Sequence, residues 1–305
     1  MASTFRLPTG RTISYSLSYN DEPSRPTVLL SNSLSSQYAF WDHIVSVLHS
    51  AGLRVLRYDH PGHGNSGVPD DLASTTFASL AEDVYALLTS PALTTCFTGK
   101  HAPDAPFTPL LHAWIGVSMG AALGIVFATT YPGIIQRLVI CDTISSSPAN
   151  AGVEDAFAPR VAAARESGAM AKTVTATMER WFGKEWIEAN AEEAERVKAL
   201  MGKTTLDGFE TCVAALRSHT FDIRPLFAQV GQAVERVLLV VGEKDADLPK
   251  QMARMRDEVQ KGFGEKQQVK LEVIPDAGHV CFIDGMDEFL KAVMPFLEEK
   301  IAATE

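Results

Sequence analysis

Three polar residues stand out by type and by position along the 305-residue chain: Ser118, Asp245 and His279. Ser118 is the centre of Gly116-Val117-Ser118-Met119-Gly120. Mostly apolar residues, His112 to Ile115, precede it, and a helix-like run from Ala121 to Tyr131 follows. A strand, a very tight turn and a helix in that order place a serine hydroxyl at a strained apex, with small neighbours letting strand and helix approach closely. The backbone N–H of Met119 then opens the helix, where negative charge is favoured. The five-residue pattern alone also recurs by chance in Gly- and Ser-rich loops, so its weight rests on this flanking context and on the acid and histidine that follow.

A serine hydroxyl is a weak nucleophile and needs an imidazole to take its proton, while a carboxylate holds the imidazole in one tautomer. Asp245 lies in Gly242-Glu-Lys-Asp-Ala-Asp-Leu-Pro249, and His279 lies in Pro275-Asp-Ala-Gly-His-Val280. Each segment directly follows a strand-like run, where open parallel sheets place their ligands, and the chain order is serine, acid, histidine. The oxyanion of an acyl-transfer intermediate needs preorganised donors. The Met119 N–H is one candidate, and Ser33 or Leu34, after an earlier strand, is expected to supply the second. Glu243 and Asp247 flank Asp245; Asp247 is the competing acid, and both also read as solvated loop charges. His60 and His63 sit in the glycine-rich Asp59-to-Gly67 loop with no third metal ligand evident, so they read as turn residues shaping the pocket rim, and Ser66 as a turn residue. Trp41, Trp181 and Trp186 are candidates for lining a substrate cavity, with ordinary core packing at helical spacing as the competing reading.

The elements that must position these residues alternate. Strands are expected at 12–19, 27–31, 53–58, 137–141, 236–242 and 269–274, besides the one before Ser118. Helical stripes lie at 40–48, 77–88, 121–131, 250–259 and 286–301. From Thr143 to about Arg224 strand signals vanish and helical stripes dominate. The expected fold is therefore α/β, a mostly parallel sheet flanked by helices, with a core at 1–142 and 226–305 and a helical lid inserted at 143–225. Pro91 to Pro109 has low periodicity and reads as a surface insertion of some mobility.

Composition bounds the partners. The chain is 46% hydrophobic and 21% charged, which suits a globular core. A net charge of −10, from 27 Lys+Arg against 37 Asp+Glu, disfavours a broad phosphate-binding surface, hence nucleic acid. Cys96, Cys141, Cys212 and Cys281 lie among apolar residues at no metal-site spacing, as expected of buried thiols in a reducing cytoplasm. The first ten residues lack an apolar signal core, and no stretch approaches the roughly eighteen apolar residues of a membrane span.

The chain resembles the α/β-hydrolases and, among them, the 3-oxoadipate enol-lactonases. The resemblance is carried by Leu30-Ser-Asn-Ser-Leu34 with Trp41-Asp42, by Leu56-Arg-Tyr-Asp59 with Gly62-His-Gly64, and by Gly116-Val-Ser-Met-Gly120. Glu179-Arg-Trp-Phe182 and Gly208-to-Leu216 carry it through the helical block. It implies an eight-stranded sheet, ester or lactone hydrolysis through an acyl-enzyme on Ser118, and no metal or other cofactor. The expected partner is a small-molecule ester or lactone, with no nucleic acid and no membrane; monomer and homo-oligomer stay open. The substrate of those lactonases carries a second carboxylate, for which Arg180 and Arg217 are the candidates, a solvated or core-rim cation being the competing reading of each. A broader esterase or lactonase, a perhydrolase, a carbon–carbon hydrolase and a slow ligand receptor are the other uses of the same machinery.

Overall fold

The computed structural model describes residues 3–19, 21–94, 99–102 and 105–299. Among the described residues ten strands are formed: β1 (Ser3–Arg6), β2 (Thr12–Leu17), β3 (Thr27–Ser31), β4 (Arg54–Tyr58), β5 (Gly99–Ala102), β6 (Ala105–Pro109), β7 (Leu111–Val117), β8 (Ile135–Cys141), β9 (Arg236–Gly242) and β10 (Lys270–Ile274). Eight of them make one sheet in the order β1-β2-β4-β3-β7-β8-β9-β10. β2 runs antiparallel to β1 and β4, and every pairing from β4 to β10 is parallel.

The central strands explain the near-continuous apolar runs. β3 is buried at all five positions, and β7 and β8 at all but one of seven, because helices cover both faces of a parallel sheet. Alternate side chains enter opposite cores. Leu29, Trp114, Leu138 and Leu239 pack beneath the helices Phe77–Leu88, Met119–Thr130 and Leu248–Phe263. Val28, Leu30, Ile115, Val139 and Leu238 pack on the other side against Asp42–Ser50 and Met286–Glu298.

Two features depart from the sequence reading. Ser3–Arg6 pairs with β2 as an edge strand; its burial shows no alternation, so its apolar pattern carries no strand signal. The stretch from Pro91 to Pro109 holds a short helix, Pro91–Thr94, and the antiparallel hairpin β5–β6 in place of an irregular insertion. Its residues 95–98 and 103–104, and with them Cys96, lie outside the described residues. The other three cysteines are buried free thiols.

Between β8 and β9 the chain forms helices Pro148–Ala151, Ala158–Ser167, Ala171–Ala189, Ala191–Met201, Leu206–Arg217 and Phe227–Ala233. The longest is kinked at Gly183, whose φ of 76° and ψ of 156° leave the helical region. None of the described helices is long and apolar enough to cross a membrane.

Candidate active site

Ser118 follows β7 directly and starts the helix Met119–Thr130 with φ 54° and ψ −118°. A side chain other than glycine's is strained there by roughly 1–3 kcal/mol, so surrounding contacts must impose the turn. Its amide donates to Cys141 O at 2.8 Å, and its carbonyl accepts from Ala121 N at 3.0 Å. The helix can approach because residue 120 is glycine: a Cβ there would stand 2.4 Å from Ser31 O. The Ser118 hydroxyl makes no hydrogen bond among the described residues.

His279 Nδ1 lies 2.6 Å from Asp245 Oδ2, and the two side chains are 15% and 13% exposed. Of the three acids in that loop, this one meets the imidazole. Glu243 accepts from Asp276 N at 3.0 Å, and Asp247 accepts from Gln251 Nε2 at 3.0 Å beside its own helix start. The other side of the imidazole is Trp181, whose ring stacks at 5.4 Å and 29° and whose carbonyl accepts from His279 N at 3.2 Å. A Cβ on Gly278 would lie 1.7 Å from that carbonyl, so glycine is required for the contact. The kink at Gly183 falls two residues beyond it.

Two further carboxyls tie the loops together, and sequence reading missed both. Asp142 ends β8, is fully buried, accepts from Gly242 N at 2.7 Å and meets Cys281 Sγ at 3.2 Å. Burial, and then the neighbouring charge of Asp245, push its carboxyl well above the usual range. Asp284 accepts from Gly278 N at 2.6 Å and is pushed up to about 6 by burial. A lone acid at a strand end or in a helix carries no distinctive spacing, so no sequence signal marks either one.

The loop after β3 starts against Gly120, two residues beyond Ser118. Asn32 Nδ2 donates to Tyr58 O at 2.7 Å, and Asn32 Oδ1 accepts from Trp41 Nε1 at 2.8 Å. Trp41 is fully buried and stacks on Phe282 at 3.7 Å. It is thus a core side chain that braces the loop, the core-packing alternative of its two readings. The reading of His60 and His63 as rim residues is corrected, since both are buried beneath the loop and neither sits on a rim. Burial lowers His60 to about 4 and His63 to about 3, so both are neutral at pH 7. The amides of Ser33, Leu34 and Met119 have no acceptor among the described residues.

Protonating His60 and His63 disfavours the folded state. The folded pKa values lie below that of an unfolded histidine, so the unfolded chain binds these protons first. The stability they contribute is complete above about pH 6.5 and is lost as pH falls towards 4 and then 3. Asp59, pushed up to about 7 by burial, acts oppositely, and the wild-type slope is the sum. His63→Gln removes one titration, so its melting temperature is expected to fall less, or rise more, than the wild type's between pH 6.5 and 4. Scanning fluorimetry at both pH values reads the difference.

The sequence profile described as the alpha/beta hydrolase family matches residues 28–292. The chain belongs to the alpha/beta hydrolase family. Within it, the 3-oxoadipate enol-lactonase 1 of Acinetobacter baylyi is 27% identical over 296 residues, 95% of this chain and 94% of that protein. A putative carbamate hydrolase of Variovorax paradoxus is 26% identical over 276 residues, 88% and 91% of the two chains. The crystal structure of the enol-lactonase from Burkholderia xenovorans superposes with a TM-score of 0.78 at 24% identity, covering 97% of this chain and all of that one, and bears on the fold.

The remaining pocket candidates of this hydrolase divide. Arg217 donates to Asp155 Oδ2 at 2.5 Å, so its guanidinium is already occupied by a carboxylate from a neighbouring turn. Arg165, Arg196 and Arg224 are likewise ion-paired. Arg180, beside Trp181, has no acidic partner within ion-pair distance among the described residues. The residue is exposed, yet the side chains packed around its guanidinium, and then the charge of Arg160, lower its pKa to about 10, with Asp245 opposing. Arg160, which sequence reading passed over, places its guanidinium over the Phe157 ring at 5.7 Å. Trp181 is 3% exposed against the imidazole, while half-buried Trp186 stacks on Phe182 at 4.5 Å. No cluster of residues that could hold a metal ion occurs among the described residues.

Proposed function

We propose that this hydrolase cleaves a carboxylic ester or lactone through an acyl-enzyme on Ser118, with an enol-lactone such as 3-oxoadipate enol-lactone as the favoured substrate. The observation that carries the reading is the His279–Asp245 pair at 2.6 Å after the carboxyl ends of β9 and β10, on the sheet edge where the strained Ser118 follows β7, together with the Ser33, Leu34 and Met119 amides that have no acceptor among the described residues. Ser118 Oγ attacks the carbonyl while His279 Nε2 takes its proton, and Asp245 keeps Nδ1 protonated and stabilises the imidazolium. The developing oxyanion is met by Met119 N–H and by Ser33 or Leu34 N–H. His279 returns the proton to the departing enolate oxygen, and water activated by the same imidazole then releases the acid. The helical segment 143–225 serves as the lid, with Trp181 and Trp186 on its inner side and a cytoplasmic location fitting its free thiols.

Arg180 is the cation for a second substrate carboxylate, since no carboxylate among the described residues pairs with it. Arg180→Ala is expected to raise KM for a carboxylate-bearing lactone by about tenfold or more, while changing that for a neutral ester little. Equal effects on both substrates would remove this role.

The test of the reaction is a panel of lactones and p-nitrophenyl esters, with 3-oxoadipate enol-lactone included. A burst followed by steady turnover supports the acyl-enzyme, and the highest kcat/KM on the enol-lactone supports the substrate. A broader esterase or lactonase is the second reading, favoured by a putative carbamate hydrolase that is 26% identical against 27% for the enol-lactonase. Perhydrolysis and carbon–carbon cleavage are part of that reading. Ligand-induced thermal shift without turnover on any of the panel would favour a receptor instead.

A further inference from the structure

We infer that His60 and His63 are positioning residues that aim the oxyanion-binding amides after β3, through hydrogen bonds to the peptides on either side of them. The inference rests on the reading of Ser118 as nucleophile and adds residues to it. His60 Nε2 donates to Asn32 O at 2.9 Å. That carbonyl shares a planar trans peptide with the Ser33 amide, so holding the oxygen points the N–H the opposite way. Ser33 O is held in turn by Ser36 Oγ at 2.8 Å, which orients the peptide carrying the Leu34 amide. His63 Nε2 accepts from Ser35 N at 2.9 Å and its Nδ1 donates to Pro61 O at 2.9 Å, fixing the next peptide. Asp59 Oδ1 closes the series by accepting from Tyr38 N at 2.7 Å.

The loop after β4 therefore grips the loop after β3 at residues 32, 35 and 38 and leaves 33 and 34 open. Two opposite neutral tautomers are required: Nε2–H on His60, because its partner is a carbonyl, and a bare Nε2 on His63, because its partner is an amide. The segment has no strand or helix ladder to hold its peptides, and Ser35 sits at φ 63°. Donor placement to well under 1 Å governs how much an oxyanion is stabilised, so this grip acts on the transition state.

The test compares His60→Leu and His63→Leu with His60→Gln, whose amide can still donate to Asn32 O, and His63→Gln, whose carbonyl can still accept from Ser35 N. Each is assayed for kcat and KM on a p-nitrophenyl ester and for inhibition by phenylboronic acid, which forms a tetrahedral adduct on the serine. The Leu variants are expected to lose roughly tenfold to a hundredfold in kcat with KM nearly unchanged, to bind the boronate weaker by a similar factor, and to be largely rescued by Gln. Folded Leu variants with wild-type kcat, or a fall in kcat that boronate binding does not share, would overturn the inference. If a Leu variant fails to fold, Asn at the same position, polar but too short to reach, takes its place under the same criteria. Ser118→Ala run alongside separates the two claims: full turnover in that variant would overturn the nucleophile reading and this inference together.

Discussion

Ser118→Ala is expected to lower kcat by roughly 10^4- to 10^6-fold and to leave the protein folded. Alanine keeps the Cβ, so the backbone at φ 54° is neither relieved nor worsened, and the amide contacts to Cys141 O and Ala121 N persist. Ser118→Gly is a sharper version. Glycine adopts this conformation without a steric penalty, so the variant is expected to be equally inactive yet more stable by about 1 kcal/mol, with a melting temperature about 2 °C higher. Strain at the turn is thereby held for function, and removing the side chain releases it. Steady-state kinetics and calorimetry on the two variants check both halves. Turnover in the alanine variant within tenfold of wild type would remove the nucleophile, and a destabilised glycine variant would remove the strain.

The second large effect is expected at the acid. Asp245→Asn is close in shape but presents an amide to His279 Nδ1, which favours the wrong imidazole tautomer and leaves the imidazolium uncompensated. A loss of about 10^4-fold in kcat is expected, with KM little changed. Asp247→Asn, two residues on, is expected to keep kcat within about twofold, because that exposed carboxylate meets the Gln251 side chain and does not cap its helix. Measuring the two side by side decides the assignment: equal losses would mean that the loop, and not the Asp245–His279 pair, is what matters. Asp142 is the group to watch for compensation, since it is buried beside Asp245 and bonded to the same strand end through Gly242 N.

Much of the fold was legible because its signals are local. β3 and β9 fall where their apolar runs begin and end, at Thr27–Ser31 and Arg236–Gly242, and the strand before Ser118 and helix after it follow from a change of hydrophobic period. Ser3–Arg6 was not legible, since an edge strand exposed along most of its length needs no apolar face. The hairpin of Gly99–Ala102 and Ala105–Pro109 was hidden by its Thr-, Pro- and Gly-rich composition.

In the site, motif residues were readable and their supports were not. Trp41 has the same type and helical spacing whether it faces a cavity or the core, and only the arrival of Asn32 and Phe282 against it decides. His60 and His63 look like turn residues until Asn32 and Ser35 are brought over them. Arg180 and Arg217 are equivalent on paper, and the difference between them is one carboxylate, Asp155, far away along the chain.

The amino-acid sequence by itself determined the alternation of strands and helices, the tight turn at Ser118 and the order of serine, acid and histidine along the chain, because each depends on neighbours within a few residues. Only the tertiary structure decided which of three loop acids reaches His279, whether Trp41 lines a cavity or joins the core, which histidines bond the loop after β3 and which of Arg180 and Arg217 meets a carboxylate. Those outcomes depend on the distance between side chains from separate segments. Hydrogen bonds and ion pairs fall away within an ångström or two of contact, so chain spacing carries almost no information about them.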